Sequence, residues 1–172
     1  GKTTLLNVLS GRMNPDAGTV WYTDPEGERH DVHAMPAPAL RTLHRSDWGF
    51  VHQDPRQNLR MGVSAGGNVG ERLMARGARH YGAIRAEAID WLTQVEIDPT
   101  RVDHLPRTFS GGMLQRLQIA RTQVTHPRLV FMDEPTVGLD PLGRRMVWSH
   151  VAELRRNLRA SASVYARACR LA

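Results

Sequence analysis

Cysteine is almost missing from this chain, and so is lysine. The single cysteine, Cys169, excludes a disulfide framework and any cysteine-based zinc cluster. No run of eighteen apolar residues occurs, so direct membrane insertion is not expected. The chain opens Gly1-Lys2-Thr3-Thr4, with no initiator methionine and no charged-then-apolar stretch, so no secretory leader is expected and a cytoplasmic location is. What is present is ordinary: 172 residues, 41% hydrophobic and 23% charged, enough for one domain with a sizeable core.

The net charge of +6 and a pI near 10.6 invite a nucleic-acid reading. The distribution argues against it. Residues 144–172 hold seven arginines against Glu153 alone, whereas residues 1–143 balance sixteen basic groups against sixteen acidic ones. A basic binding face built into the fold would not be confined to one terminal segment, so no nucleic-acid partner is expected. Of the 23 basic residues only Lys2 is a lysine.

Neither an internal repeat nor a low-complexity tract appears before the Ala/Arg/Ser-rich end. Residues 2–10 predict a helix with Leu5, Leu6 and Leu9 on one side. Asn14–Gly18 is a turn, and Thr19–Thr23 followed by the turn Asp24-Pro25-Glu26-Gly27 predicts a small antiparallel hairpin. A short helix over 37–45 and a short strand over Trp48–His52 come next. From Asn68 to about Glu96 the pattern is helical, with Ile84, Ala88, Trp91, Leu92 and Val95 forming one apolar stripe. Another helix spans Ser110 to Thr125, with Met113, Leu117, Ala120 and Val124 inward. Leu129–Met132 is an unbroken apolar run bounded by Pro127 and Pro135, as suits a strand covered on both faces of a parallel sheet. A last helix starts near Pro141. The expected class is α/β.

Three features carry chemistry. Gly1-Lys2-Thr3-Thr4 matches the end of the phosphate loop G-x-x-x-x-G-K-[ST], in which amides at a helix N-terminus and the lysine hold phosphates and a hydroxyl such as that of Thr3 holds Mg²⁺. Asp133 and Glu134 end the apolar strand, where α/β sheets bind ligands. Asp133 suits Mg²⁺ held through water, and Glu134 suits polarisation of an attacking water. The plain alternative is a pair of acids capping the next turn. Ser110-Gly111-Gly112 opens a helix, with Ser110 as N-cap and the glycines leaving room for a second anion. One nucleotide does not obviously need both anion sites from the same copy. His30 and His33 have metal-like spacing but no acid or Cys cluster to complete a site, and are read as solvated loop histidines. The four tryptophans are read as packing residues, and Met13, Met35, Met61 and Met74 as gap-fillers or exposed.

In this order the motifs resemble those of the ABC-type ATPases. They are the end of Walker A (Gly1–Thr4), a Q-loop glutamine in Val51-His52-Gln53-Asp54-Pro55, a signature Phe109-Ser110-Gly111-Gly112-Met113, Walker B (Leu129–Glu134) and a D-loop Gly138-Leu139-Asp140. Met113 at the fifth signature position is similar to the branch shared by oligopeptide-transport ATPases and the ATP-binding proteins of the phosphonate carbon–phosphorus lyase system. Trp48–Gln53, Val63–Ala75, Gly77–Gly82 and Leu117–Arg121 look closest to the latter. The resemblance covers residues 1 to about 140.

That resemblance implies a P-loop NTPase core with an inserted helical subdomain, incomplete at both termini. Residues 1–60 would be the N-terminal part of the core, 61–108 the helical subdomain, 109–143 the signature helix, Walker B and D-loop, and 144–172 a divergent basic tail. It implies a homodimer, or a heterodimer with another ABC ATPase, in which ATP and Mg²⁺ lie between Gly1–Thr4 of one copy and Ser110, Gly111 and Gly112 of the other. Gln53 would sense the γ-phosphate and Mg²⁺, Glu134 would activate water, and Asp140 would sit at the dimer seam. The partner implied is the carbon–phosphorus lyase core complex, and the activity ATP hydrolysis in phosphonate catabolism. Two alternatives stand beside it: the ATPase of an oligopeptide- or metal-type transporter, and a nucleotide-holding scaffold without turnover. The family's switch histidine has no counterpart near Arg167, and His150 comes too early. The tail is therefore expected to be out of frame or foreign. Without the preceding strand, most of the phosphate loop, the adenine platform and that histidine, the chain as it stands is expected to aggregate and to hydrolyse little or no ATP.

Overall fold

The computed structural model describes residues 1–137, 139, 141, 143–145, 147–149 and 152. The expectations for Gly138, Asp140, His150, Arg167 and Cys169 lie outside the described residues.

The chain runs α1 (Lys2–Leu9), β1 (Trp21–Thr23), β2 (Arg29–Asp31), α2 (Ala37–Ser46), β3 (Trp48–Val51), α3 (Ala65–Ala75), α4 (Tyr81–Gln94), α5 (Gly111–Gln123) and β4 (Leu129–Met132). Short 3₁₀ turns occupy Pro55–Gln57, Pro99–Asp103 and Pro106–Thr108. Helical backbone resumes at residues 141, 143–145 and 147–149, where a last helix is expected. The hairpin forms as its turn residues dictate: β1 pairs antiparallel with β2, and Gly27 takes φ +86°, a conformation that costs glycine little. The helical block differs from the expectation. It starts earlier, at Ala65, because Ser64 caps it by accepting from Gly67 N (3.1 Å). It is also two helices, since Gly77 at φ +103° ends the first and His80 caps the second through Ala83 N (3.1 Å).

β3 and β4 pair in parallel, in the register Trp48↔Leu129 to Val51↔Met132. Their side chains alternate between two apolar layers, as the two-residue period of a strand requires. Trp48, Phe50, Leu129 and Phe131 face Val32, Leu6, Leu9, Val20, Tyr22 and Leu40 from α1, the hairpin and α2. Val51, Val130 and Met132 face the larger layer built from α3, α4 and α5, where Leu92, Leu117 and Ala120 are fully buried. Each such leucine contributes about 1.5–3 kcal/mol on burial. The stripe on α4 packs here through Ala88, Trp91, Leu92 and Val95, with Ile84 only half-buried. Trp48 and Trp91 are packing residues; Trp21 and Trp148 are about half exposed, which corrects that reading of all four.

Two contacts hold these layers in register. Gly49 lets α5 lie against the strand: a Cβ there would stand 2.5 Å from Thr122 Cγ2, while the Thr122 hydroxyl donates to Phe50 O (2.9 Å). On the other side Arg72 reaches from α3 to His44 O (3.0 Å) and Trp48 O (3.2 Å), and burial pushes its guanidinium down to about 10. His44 itself bonds through Nε2 to Ser10 O (2.9 Å) just past α1, against the rings of Trp48 and Phe50.

Gly49→Ala is expected to destabilise the fold by about 1–3 kcal/mol by overpacking, read as a lower urea midpoint. Thr122→Ser, which removes Cγ2 and keeps the hydroxyl, should recover much of that loss; no loss in Gly49→Ala would contradict the close packing. A pH dependence follows from His44, whose pKa burial lowers, with Arg12 and Arg72 adding to the effect. The unfolded chain then takes up its proton first. Stability is complete above about pH 6.5 and falls as pH drops through that value. The drop in urea midpoint between pH 7.5 and 5.5 should be smaller in His44→Gln than in the parent, and an equal drop would remove His44 as its source.

Candidate functional site

The parallel register carries the ends of β3 and β4 to the same edge. Asp133 N donates to Val51 O (2.9 Å), so the ladder runs one residue beyond β4 and sets the Asp133–Glu134 pair beside the His52–Gln53 turn. Glu134 has φ +46°, a left-handed conformation that is unfavourable for a residue with a Cβ and that concentrates at functional turns. Its carboxylate is a meeting point. Lys2 Nζ donates to Oε1 (3.2 Å) and Gln53 Nε2 donates to Oε2 (3.2 Å). Three residues picked out from three separate motifs are thus joined by direct hydrogen bonds.

All three are solvent-accessible, and the Lys2 side chain is 57% exposed. An exposed ion pair of this kind contributes about 0–1 kcal/mol, so a polyanion competes readily for the ammonium. Thr3 and Thr4 are also exposed, in the first turn of α1. Gly1, the N-cap, offers no side chain to that turn, and among the described residues nothing lies within 4 Å of where its Cβ would stand. An ammonium, hydroxyls and helix-start amides opening onto free space fit a phosphate group. The threonine hydroxyls and the Asp133 and Glu134 carboxylates supply oxygen, the ligand type that a hard cation such as Mg²⁺ demands.

Ser110 caps α5 as expected, its Oγ accepting from Met113 N (3.3 Å). Gly111 is exposed, and among the described residues nothing meets a Cβ placed on it, while one on Gly112 meets only Leu139 Cδ2 at 3.6 Å. Gly111 lines a groove of about 210 Å³ together with Gln53, Arg56, Leu114, Gln115 and Val137. The signature glycine therefore flanks the Gln53 loop, while Lys2 reaches Glu134.

Several residues at the site carried no assignment from sequence. Arg12 lies over the Phe50 ring (3.5 Å to the centroid), its Nη1 3.1 Å from His52 Nε2. Burial and the Arg12 guanidinium hold the His52 pKa down, against the pull of Asp133. Gln118 of α5 accepts from His52 N (2.7 Å) and donates to His52 O (2.9 Å), and Gln115 donates to Pro135 O (2.9 Å). The signal for the glutamines was their i, i+3 spacing among the buried residues of α5; Arg12 had none. The histidine reading needs correction as well. His30 has an acid pair beside it: Nε2 is 2.8 Å from Asp24 Oδ2, and the ligand atoms of Asp24, Glu28 and His30 lie within 4.8 Å of one another. His33 instead bonds to Val8 O (3.0 Å) at the end of α1.

The profile of the family described as "ABC transporter" matches residues 1–137. Over 140 residues, 81% of the chain, the sequence is 60% identical to a protein of Escherichia coli K12 named PhnK for ATP binding in phosphonates utilization. It is 37% identical over 90% of the chain to the daunorubicin resistance ATP-binding protein DrrA3 of Streptomyces coeruleorubidus. It is 32% identical over 94% of the chain to a lipoprotein-releasing system ATP-binding protein, LolD 2, of Chlorobium chlorochromatii. The chain spans 54%, 44% and 65% of those relatives' own lengths. Among solved structures, a dimeric post-hydrolysis state of the ATP-binding cassette MJ0796 bound to ADP and Pi superposes with a TM-score of 0.81 at 28% identity. That match covers 91% of this chain and 66% of the other. No helix among the described residues is long and apolar enough to cross a membrane.

Proposed function

We infer that this chain, which belongs to the ABC transporter family of ATPases, binds and hydrolyses ATP as one half of a head-to-tail pair serving phosphonate utilisation. The observation that carries the reading is the convergence of Lys2 and Gln53 on the two oxygens of Glu134.

In this reading Gly1, Lys2, Thr3 and Thr4 bind the phosphates: the first-turn amides of α1 supply donors, and the Lys2 ammonium leaves Glu134 for the more highly charged ligand. Glu134, released from that ion pair, accepts a proton from the attacking water, and the Gln53 amide orients the water against it. Thr3, Gln53 and Asp133 would hold Mg²⁺. When bound, Mg²⁺ neutralises charge on the phosphate oxygens. Ser110, Gly111 and Gly112 present the start of α5 to the nucleotide of the second copy, with Asp140 at the seam. The dimeric MJ0796 cassette supports the pairing. Residues 1–60 and 109–143 form the ATPase core in this proposal, and residues 61–108 the helical subdomain that meets a partner.

The 60% identity to PhnK favours the carbon–phosphorus lyase complex as that partner. A second reading, an engine docked on a membrane permease, is supported by the likeness to DrrA3 and LolD 2. Co-purification of the full-length protein with lyase core subunits, against membrane fractions, separates the two. For the chemistry, Glu134→Gln in the full-length protein is expected to lower ATP turnover by about 10²–10⁴-fold while ATP affinity changes by less than about threefold. Unchanged phosphate release would instead favour a scaffold that holds nucleotide without turnover.

A further inference from the structure

The helix that presents the signature glycines also grips both loops of the reaction site, through two buried amides. Gln118 is fully buried in α5, between the buried Leu117 and Ile119 and one turn beyond Gln115, which is 2% exposed. Its side chain bridges one residue of backbone: Oε1 accepts from His52 N at 2.7 Å and Nε2 donates to His52 O at 2.9 Å. The amide thus takes the place of a neighbouring strand just where β3 ends, satisfying both backbone groups of the residue before Gln53. Gln118 Nε2 also donates to Gln115 Oε1 (3.3 Å), and Gln115 Nε2 donates to Pro135 O (2.9 Å), the residue after Glu134. The chain His52–Gln118–Gln115–Pro135 is continuous, buried from Gln118 to Pro135 and part-buried at His52. It ends on the backbone beside Gln53 at one side and beside Glu134 at the other.

A glutamine in this place is costly unless every polar atom is used, because an unpaired buried amide loses its hydration without replacement. An apolar residue would fill the volume as well. What the amide adds is position: it ties the Gln53 turn to α5, whose first turn carries Ser110–Gly112. We propose that Gln118 is a positioning residue for ATP hydrolysis. It holds Gln53 in line with Glu134 and, through Gln115, makes both loops move with the signature end of α5. This rests on the ATPase reading above. The Gln118 side chain touches neither Glu134 nor Lys2, so it acts through backbone.

The test uses full-length protein with Gln118→Asn, which withdraws the amide by one methylene, and Gln118→Leu, which removes it. Each is made alone and combined with Gln53→Ala. Turnover is expected to fall by about five- to tenfold in either single variant, the effect of losing a typical hydrogen bond, with ATP affinity within about twofold. In the Gln53→Ala background the same substitutions should cost less than about twofold, because the residue being positioned is gone. An equal loss in both backgrounds, or no loss in either, overturns the proposal. Amide exchange, which needs no turnover, separates this from failure of the ATPase reading. Residues 52–54 should exchange at least about tenfold faster in Gln118→Asn while the α4 amides keep their protection. Unchanged exchange at 52–54 overturns the positioning role, whereas wild-type protein that hydrolyses no ATP but shows this change overturns the ATPase reading alone.

Discussion

Parallel pairing of β3 with β4 is the constraint from which the rest of the structure follows. Four residues of register set Val51 beside Met132, and one further bond, Asp133 N to Val51 O, carries the ladder into the loops. A parallel ladder brings the C-terminal ends of both strands to one edge, which is why Gln53 and Glu134 meet although 81 residues separate them. An antiparallel pair would have put the two turns at opposite ends. The same pairing alternates Trp48, Phe50 and Phe131 into one apolar layer and Val51, Val130 and Met132 into the other. Helices on both faces are the consequence, and α1 arrives with its lysine at the edge where the carboxylates stand.

The two faces are held differently. On the face turned to the hairpin the packing is aromatic, with Trp48 edge-on to Tyr22 (5.3 Å) and Phe131 (5.4 Å), and Phe50 stacked on Phe131 (4.9 Å). Toward α5 they are close and partly polar: Gly49 against Thr122, the Thr122 hydroxyl on Phe50 O, and the Gln118 amide on His52. Polar contacts with defined partners allow few alternative positions, so α5 sits in one register on the strand. That face is the one bearing the signature glycines. Arg121 extends the same interface, reaching Asn58 Oδ1 (3.0 Å) and Glu71 (3.5 Å) and so linking α5 to both the Gln53 segment and α3.

Much of this was legible in one dimension because the signals were local. Pro127 and Pro135 bracket an apolar run, and it is the strand β4; Ser110 precedes two glycines, and it caps α5. The hairpin followed from Asp24–Gly27, and the Gly-Lys-Thr, Gln53, Ser-Gly-Gly and Asp-Glu motifs each marked a position by residue type and order. The break between α3 and α4 escaped because a single glycine at 77 within a periodic pattern is ambiguous until its φ is known. His30 escaped for another reason: Asp24 and Glu28 lie nearby in sequence, yet only the cross-strand geometry of the hairpin turns them toward it.

Local chemistry alone determined the element types, the two helix starts able to face anions, and the acid pair at a strand end, since each depends on a few adjacent side chains and their backbone preferences. Only the tertiary structure decided which of these meet. It placed Lys2 and Gln53 on opposite oxygens of one carboxylate, left Gly111 across the Gln53 loop, and set two glutamines between the loops as buried ties. The reason is that strand register and helix packing are properties of surfaces distant in sequence, and no spacing along the chain encodes a distance across it.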